Sequence, residues 1–403
     1  MKHKFISKRY WKANTTPMAE VVELAHKYDD IINLSLGDPD LITDSRVIAE
    51  AFKDANAGHT RYTDSLGDLE LREEISLYYK NVYRYNMGVR EIMAVVGACH
   101  GMHLVLEAIL DDGDEVIVPE PYFTPYANQI KLARGKLIPL ETYEMEGFQV
   151  NVERLKTLIT ERTKAIIINS PNNPTGACLS KKVLEELAEV AIQKDIIIIT
   201  DEVYGVFSFN EPFLPITTIE GMRERTITIG SFSKDYAMTG WRIGYVLAPE
   251  YLIECIRDIN EGICFTAPSI SQRAAIHAIR LREKIQPDLV NEYKKRVYYA
   301  YERINKISGM SVLPPQGSFY LFVNIKKTGL SSTEVCKRLL EEAHILAVPG
   351  NAFGKSGEGY IRIACTVGLD KLKLAFDRME CMETFQVLEL LEGLNLINIK
   401  FER

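Results

Sequence analysis

A lysine flanked by hydroxyl side chains follows a short apolar run near the middle of the chain. Lys234 comes directly after Ser231 and Ser233, the apolar run spans residues 226–229, and Arg242 lies eight residues further on. A lysine amine forms an imine with an aldehyde, and hydroxyl and guanidinium groups bind phosphate oxygens. This combination is suited to an aldehyde cofactor that carries a phosphate, which points to pyridoxal 5′-phosphate.

Three more loops after predicted strands carry groups that match the same cofactor. Ala98 and Cys99 open a predicted helix, where backbone N–H groups and the helix dipole favour a phosphate. Asp201 is suited to pair with a protonated pyridine nitrogen, and Asn173 and Tyr204 can donate hydrogen bonds to the phenolic oxygen of the ring. Because ligands bind outside the carboxyl ends of the strands in an open parallel sheet, we expect all four loops to converge on one cleft.

The elements that position these loops alternate along the chain. Short β-branched runs are separated by longer helical patterns, which indicates an α/β fold with a mostly parallel sheet covered by helices on both faces. The predicted strands are residues 93–96, 115–118, 164–168, 196–200, 226–229 and 244–248. The clearest helical patterns are residues 69–79, 102–110 and 181–193, the last with Ser180 as its N-cap.

The length of 403 residues and the 46% hydrophobic content predict two domains. We assign residues 45–283 to a large cofactor-binding domain, and residues 1–44 together with 284–403 to a smaller domain built from both termini. Residues 381–403 are rich in leucine and amphipathic. We interpret this C-terminal extension as a segment that packs against the core or contacts a partner.

Charge and cysteine content exclude several classes of protein. The net charge is −7, from 48 Lys and Arg against 55 Asp and Glu, so no nucleic acid partner is expected. The seven cysteines are dispersed and form no paired spacing, which favours a reducing compartment over a disulfide framework or a zinc site. His100 and His103 lack a convergent third ligand, so we predict no metal site. No run of 18 apolar residues occurs, and we expect a cytoplasmic protein without membrane contact.

Four motifs occur in an order that resembles a known family. They are Asn173-Pro174-Thr175-Gly176, Asp201-Glu202-Val203-Tyr204, Ser231-Phe232-Ser233-Lys234 and Trp241-Arg242-Ile243-Gly244. The chain thereby resembles the class I/II aminotransferases of pyridoxal-phosphate fold type I, from Leu34 to Ile363. The resemblance implies a large domain with a mostly parallel sheet sandwiched by helices, a smaller α+β domain from both termini, and a homodimer with shared active sites.

The resemblance also assigns roles around the cofactor. Lys234 would be the Schiff-base lysine and the base that moves the proton from the substrate, and Phe123 would stack on the pyridine ring. Tyr62 would reach the phosphate held by the neighbouring subunit. The implied cofactor-binding set is Tyr62, Ala98, Cys99, Phe123, Asn173, Asp201, Tyr204, Ser231, Ser233, Lys234 and Arg242.

On the substrate side, the family pattern places an arginine at the α-carboxylate. Arg362 would form a bidentate pair with that group, helped by Asn173 and by the backbone of Gly37. No arginine stands near residues 261–264, where relatives specific for dicarboxylates carry one, so aspartate or glutamate is disfavoured as the substrate. The sequence otherwise leaves the substrate side chain open.

Three hypotheses for the function remain from these residues. The first is transfer of the amino group of an L-amino acid to a 2-oxo acid through an imine on Lys234. The second is a pyridoxal-phosphate-dependent lyase, such as a C–S β-lyase, because the same lysine, aspartate and arginine serve elimination. The third is a cofactor-binding transcription regulator, which is disfavoured because only about thirty residues precede the resemblance, too few for a DNA-binding module.

Overall fold

The strands form three sheets in the computed structural model, which describes residues 3–7, 11, 23, 25–386 and 388. In chain order the strands are β1 (Ile32–Asn33), β2 (Ile92–Val95), β3 (Glu115–Glu120), β4 (Lys136–Glu141), β5 (Thr163–Asn169), β6 (Ile197–Asp201), β7 (Thr226–Ser231), β8 (Gly244–Leu247), β9 (Tyr320–Asn324), β10 (Ile345–Leu346), β11 (Val348–Pro349) and β12 (Tyr360–Ala364). The helices of eight or more residues, with one of seven, are α1 (Ser45–Asn56), α2 (Leu69–Tyr83), α3 (Ala98–Ile109), α4 (Pro125–Leu132), α5 (Val152–Leu158), α6 (Lys181–Lys194), α7 (Glu250–Glu261), α8 (Ser269–Arg280), α9 (Arg282–Ile304), α10 (Ser332–Ala343) and α11 (Leu369–Glu380).

The largest sheet has seven strands in the order β2-β8-β7-β6-β5-β3-β4. β8 runs antiparallel to both of its neighbours, whereas every other neighbouring pair in this sheet is parallel. Successive residues of β5 point to opposite faces, so Ile167 packs with α3, α4 and α7 while Ile166 and Ile168 pack with α6. Both faces of the sheet are therefore covered, which explains why β5 is almost continuously apolar.

A smaller unit is built on the antiparallel sheet β11-β12-β9 and the parallel pair β1-β10. We call β1, β9–β12, α10 and α11 the small lobe, and β2–β8 with α1–α8 the large lobe. Helix α9 joins the two, since Ile285 packs in the core of the large lobe and Tyr293 and Val297 pack in that of the small lobe. The predicted α/β fold is confirmed, while the predicted domain boundaries stay predictions.

The predicted elements differ from the observed ones mainly at their ends. Ser180 is the N-cap of α6, as predicted, and its hydroxyl accepts from the N–H of Val183 at 3.3 Å. Helix α3 begins at Ala98, where a helix was predicted to open, although the apolar pattern that marked this helix starts only at Met102. Strand β4 was missed, since it is an edge strand with Pro139 in its middle and exposed residues at both ends.

Two further predictions concern surfaces of the chain. Within the described residues, no helix has both the length and the apolar character required to cross a membrane. Most of the predicted amphipathic extension, residues 389–403, lies outside the part of the chain that the structure describes.

Candidate active site

A cavity of about 200 Å³ lies where β5, β6 and β7 end and α3 begins. This is the edge at which open parallel sheets bind their ligands. The residues of the predicted cofactor set that line it are Ala98, Cys99, Phe123, Asn173, Asp201, Tyr204, Ser231, Ser233, Lys234 and Arg242. The four loops that the sequence predicted to converge therefore do meet in one place.

The N-terminus of α3 forms a cup at one end of this cavity. Gly97, the residue before the helix, has a φ of 78°, and no side chain among the described residues caps the helix. A Cβ on Gly97 would lie 2.6 Å from Nη2 of Arg242, so only glycine lets the guanidinium come this close to the first turn. The uncapped N–H groups, the helix dipole and a permanent cation together fit a phosphate.

The Lys234 side chain reaches the middle of the cavity. Its ammonium Nζ donates a hydrogen bond to the carbonyl oxygen of Gly37. Burial lowers the pKa of Lys234 to about 8, and Arg242 adds to this effect whereas Asp38 opposes it. Because the neutral amine is the nucleophile and the proton acceptor, a lowered pKa makes this lysine more reactive near neutral pH than a surface lysine.

Asp201 ends β6 at the floor of the cavity and is only 5% exposed. Burial raises the pKa of Asp201 to about 6, and hydrogen bonds from Tyr126 and the N–H of Val203 act in the opposite direction. The Tyr126 hydroxyl donates to Oδ2 of Asp201 at 2.5 Å. The two hydrogen bonds thus favour the charged form of the carboxylate against the effect of burial, and a cationic ring nitrogen requires that charged form as its partner.

Arg362 is buried on β12, on the small-lobe side of the same cleft. Its Nη1 donates to Oδ1 of Asn173 at 2.9 Å, and its Nη2 donates to the carbonyl oxygen of Ser35. The guanidinium lies between the rings of Tyr320 and Phe353, at 4.5 and 4.9 Å from their centroids. Its buried Nε has no hydrogen-bond partner within the described residues. A buried cation with an unsatisfied N–H is well suited to receive a carboxylate.

Gly37 and Tyr320 meet next to Lys234. A Cβ on Gly37 would lie 1.7 Å from the Tyr320 hydroxyl oxygen, so this position requires glycine. The Tyr320 and Tyr204 hydroxyls form a hydrogen bond of 3.0 Å. Burial raises the pKa of Tyr204 well above its ordinary value, so its hydroxyl keeps its proton and remains a donor.

Of the predicted cofactor-binding residues, only Tyr62 does not line the cavity. Tyr62 is 84% exposed and does not line the cavity of this chain; its ring contacts Phe265 edge-on at 5.3 Å between centroids. Its predicted contact with a neighbouring subunit stays a prediction. Cys99 lines the phosphate end, but burial raises the pKa of its thiol, so a reactive thiolate is not favoured there.

Sequence reasoning missed several residues of the cavity wall. They are Asp38, Met102, Tyr126, Gln129, Asn169, Val203 and Thr239. The signal for Tyr126 was present, because the loop after β3 also ends at the binding edge and Phe123 was chosen from it. A hydroxyl three residues after the predicted stacking ring could have been assigned to the same site.

Comparisons with known proteins decide the family. The model of the family described as aminotransferase class I and II matches residues 29–378. The chain belongs to this family. It is 40% identical over 379 residues to an aspartate aminotransferase of Pyrococcus abyssi, covering 93% of this chain and 97% of that protein. It is 38% identical over 379 residues to aromatic-amino-acid aminotransferase 2 of Thermococcus litoralis, with the same coverage of both chains.

A solved structure agrees with this assignment. The aromatic aminotransferase from Pyrococcus horikoshii OT3 superposes with a TM-score of 0.86 at 38% identity, covering 94% of this chain and all of that one. The expectation of a fold type I aminotransferase is confirmed. Enzymes of this family use pyridoxal phosphate, act on amino and 2-oxo acids, and are typically dimers.

Proposed function

We propose that this aminotransferase binds pyridoxal phosphate in the cavity at the carboxyl ends of β5, β6 and β7 and moves the amino group of an L-amino acid to a 2-oxo acid. The observation that carries the proposal is the meeting of an amine of lowered pKa, a buried carboxylate and an anion cup in one cavity: Lys234, Asp201, and Gly97 with Arg242. When bound, the cofactor holds the amino group between the two half-reactions and withdraws electrons from the substrate Cα.

The residues of the large lobe would hold the cofactor along its length. The phosphate would lie in the cup at Ala98 and Cys99, with Ser231, Ser233 and Arg242 as further donors. Asp201 would pair with the ring nitrogen, Phe123 would stack on the ring, and Asn173 and Tyr204 would donate to its phenolic oxygen. Tyr62 would complete the phosphate site of the partner in a homodimer. Residues 45–283 would then form the cofactor-binding domain, and residues 1–44 with 284–403 the smaller one.

The residues of the cleft then act on the substrate. Arg362 would bind the α-carboxylate, and the N–H of Gly37 and the amide of Asn173 would fix its orientation. With the carboxylate fixed, the neutral amine of Lys234 would take the proton from Cα and return it. Burial of Arg362 and Tyr204 keeps water from competing for these hydrogen bonds.

A single-turnover experiment tests the proposed reaction. The protein loaded with pyridoxal phosphate is mixed with one amino donor and no acceptor. Aspartate is compared with two aromatic amino acids, tyrosine and phenylalanine, because the relatives are named for aspartate and for aromatic amino acids. Transamination predicts one equivalent of 2-oxo acid per chain, after which the reaction stops until a 2-oxo acid is added. Continuous release of ammonia without an acceptor would instead establish elimination.

The contact between Tyr126 and Asp201 gives a prediction on pH dependence. In Tyr126→Phe the carboxylate loses a hydrogen bond that lowers its pKa, so this pKa rises further above its ordinary value. The charged form of Asp201 is lost as pH falls through the pKa, and in the variant that loss begins at higher pH. Titration of the cofactor-free protein with pyridoxal phosphate should therefore show weaker binding than wild type at pH about 6.

The comparison of Tyr126→Phe with wild type is repeated at a second pH and with a variant of a second tyrosine. Roughly two pH units higher, where Asp201 is charged in both proteins, the difference between variant and wild type should shrink. Tyr122 lies four residues before Tyr126, in the loop that leads into α4, and does not line the cavity, so Tyr122→Phe serves as the matched control. Equal affinities of Tyr126→Phe and wild type at both pH values would contradict the assigned role of Tyr126.

A further inference from the structure

The segment from Leu34 to Thr43 crosses the cleft directly above Lys234, and we call it the strap. Two carbonyl oxygens of the strap accept hydrogen bonds from side chains of the site. Those of Ser35 and Gly37 accept from Arg362 and Lys234. The position of the strap thus determines where both of these cations lie.

The strap is attached to the small lobe over its first half. The N–H of Leu34 donates to the carbonyl oxygen of Leu346 at 2.8 Å, and the Thr366 hydroxyl donates to the carbonyl oxygen of Leu36 at 2.8 Å. The last attachment is at Asp40, whose N–H donates to the carbonyl oxygen of Thr366 at 3.3 Å.

The Asp40 side chain makes the strongest of these contacts. Its Oδ1 lies 2.6 Å from Nη1 of Arg296 on α9, and the Tyr293 hydroxyl donates to the same oxygen at 3.2 Å. The Arg296 side chain is only 4% exposed, while that of Asp40 is 35% exposed. Nε of Arg296 also pairs with Glu292 at 2.8 Å. An ion pair with one buried partner and well-formed hydrogen bonds holds its geometry more firmly than a surface pair.

Three residues beyond Asp40 the strap is attached to the large lobe. The Thr43 hydroxyl donates to the carbonyl oxygen of Ala237 at 2.7 Å, and the Trp241 indole N–H donates to the Thr43 hydroxyl at 3.0 Å. Ala237 and Trp241 belong to the loop that follows Lys234. The connection between the two attachments is only two residues long, Leu41 and Ile42, so a shift at Asp40 is passed to the loop that carries the lysine.

We propose that Asp40 and Arg296 are positioning residues for amino-group transfer: their ion pair sets the register of the strap, and thereby the distance between the Arg362 side of the cleft and Lys234. The inference rests on the proposed function and deepens it. The two residues do not line the cavity, so they act through the strap and not on the cofactor or the substrate.

The test uses the full-length protein loaded with pyridoxal phosphate. Asp40→Asn keeps the shape and the acceptor for Tyr293, and Arg296 stays paired with Glu292, so the variant is expected to fold. We expect kcat/KM for the amino donor to fall by at least about tenfold, because small misplacements of reacting groups are costly. The affinity for pyridoxal phosphate should fall by a smaller factor than kcat/KM, since neither the N-terminus of α3 nor Asp201 hydrogen-bonds to the strap within the described residues.

A matched control and a second measurement separate positioning from a general loss of packing. Arg303 lies on the same helix and also pairs with two carboxylates, Asp377 at 2.7 Å and Glu380 at 2.8 Å, but it does not contact the strap. Arg303→Gln should leave kcat/KM unchanged. Amide hydrogen exchange in a peptide that covers residues 34–43 should be faster in Asp40→Asn than in wild type and unchanged in Arg303→Gln.

Failure of the inference about Asp40 and Arg296 can be distinguished from failure of the proposed function. If Asp40 and Arg296 act as a unit, Arg296→Gln and the double variant should lose no more than about the same factor as Asp40→Asn. Wild-type kcat/KM in Asp40→Asn, or an equal loss in Arg303→Gln, would overturn the inference. If the wild-type protein transaminates no donor, the proposed function fails, and hydrogen exchange in the strap still decides whether the ion pair fixes it.

Discussion

Replacing Lys234 by alanine is expected to abolish amino-group transfer, with kcat reduced by at least about 10⁴-fold. Two tasks are lost together, the covalent attachment of the cofactor and the movement of the Cα proton, and no other lysine lines the cavity within the described residues. Steady-state rates with a saturating donor and a saturating 2-oxo acid measure the effect. Wild-type turnover in the variant would remove Lys234 from the mechanism.

Two further variants separate the amine from its charge. Lys234→Arg keeps a cation in the cavity but cannot supply a neutral amine, so we expect the same loss as in Lys234→Ala. Lys182 has a side chain that is 84% exposed and pairs with Glu186 at 3.7 Å, and Lys182→Ala should behave as wild type. An active Lys234→Arg variant would show that only the positive charge matters, which contradicts the role of the lowered pKa.

Replacing Arg362 by lysine is expected to lower kcat/KM for amino acids by about 10²- to 10³-fold, although the charge is conserved. A lysine cannot donate to Asn173 and Ser35 and still present an N–H to the substrate, because it lacks the planar fork of the guanidinium. Most of the loss should appear as a higher KM for the donor. Binding of pyridoxal phosphate should change little, since Arg362 does not line the phosphate cup.

The preference for substrates that carry an α-carboxylate also tests the role of Arg362. It is measured as a ratio of two kcat/KM values and therefore does not depend on absolute rates. The wild-type protein should prefer an amino acid to the amine that lacks its carboxylate, and this preference should largely disappear in Arg362→Lys. Arg378 is an arginine on α11 that pairs with Asp30 at 2.9 Å away from the cavity, so Arg378→Lys is the matched control. Full discrimination in Arg362→Lys would show that another group binds the α-carboxylate.

The residues whose chemistry could be predicted without the family resemblance were those in loops that follow buried strands. Asp201 and Lys234 were identifiable because β6 and β7 are apolar runs and a polar residue at the end of such a run has few structural reasons to be there. The edge strand β4 was not, because Pro139 in its middle argues against a strand and its buried and exposed residues do not alternate regularly.

The contacts that shift the pKa of Asp201 or hold the strap in place could not be predicted in the same way. Tyr126 and Asp201 are 75 residues apart, and Asp40 and Arg296 are 256 residues apart. Such pairs are brought together by the packing of whole elements, and a single sequence carries no local pattern for them. The direction of the pKa shifts of Lys234 and Asp201 is likewise a consequence of burial, which becomes visible only in the folded chain.

The covalent attachment of pyridoxal phosphate to Lys234 is the property on which the proposed function depends most directly. The purified chain is saturated with pyridoxal phosphate, reduced with borohydride and digested, and the peptides are analysed by mass spectrometry. We predict one equivalent of the reduced cofactor per chain, on the peptide that contains Lys234, and no such label in Lys234→Ala. A label on a different lysine, or a saturated protein without any label, would contradict the assignment of this cavity as the site of amino-group transfer.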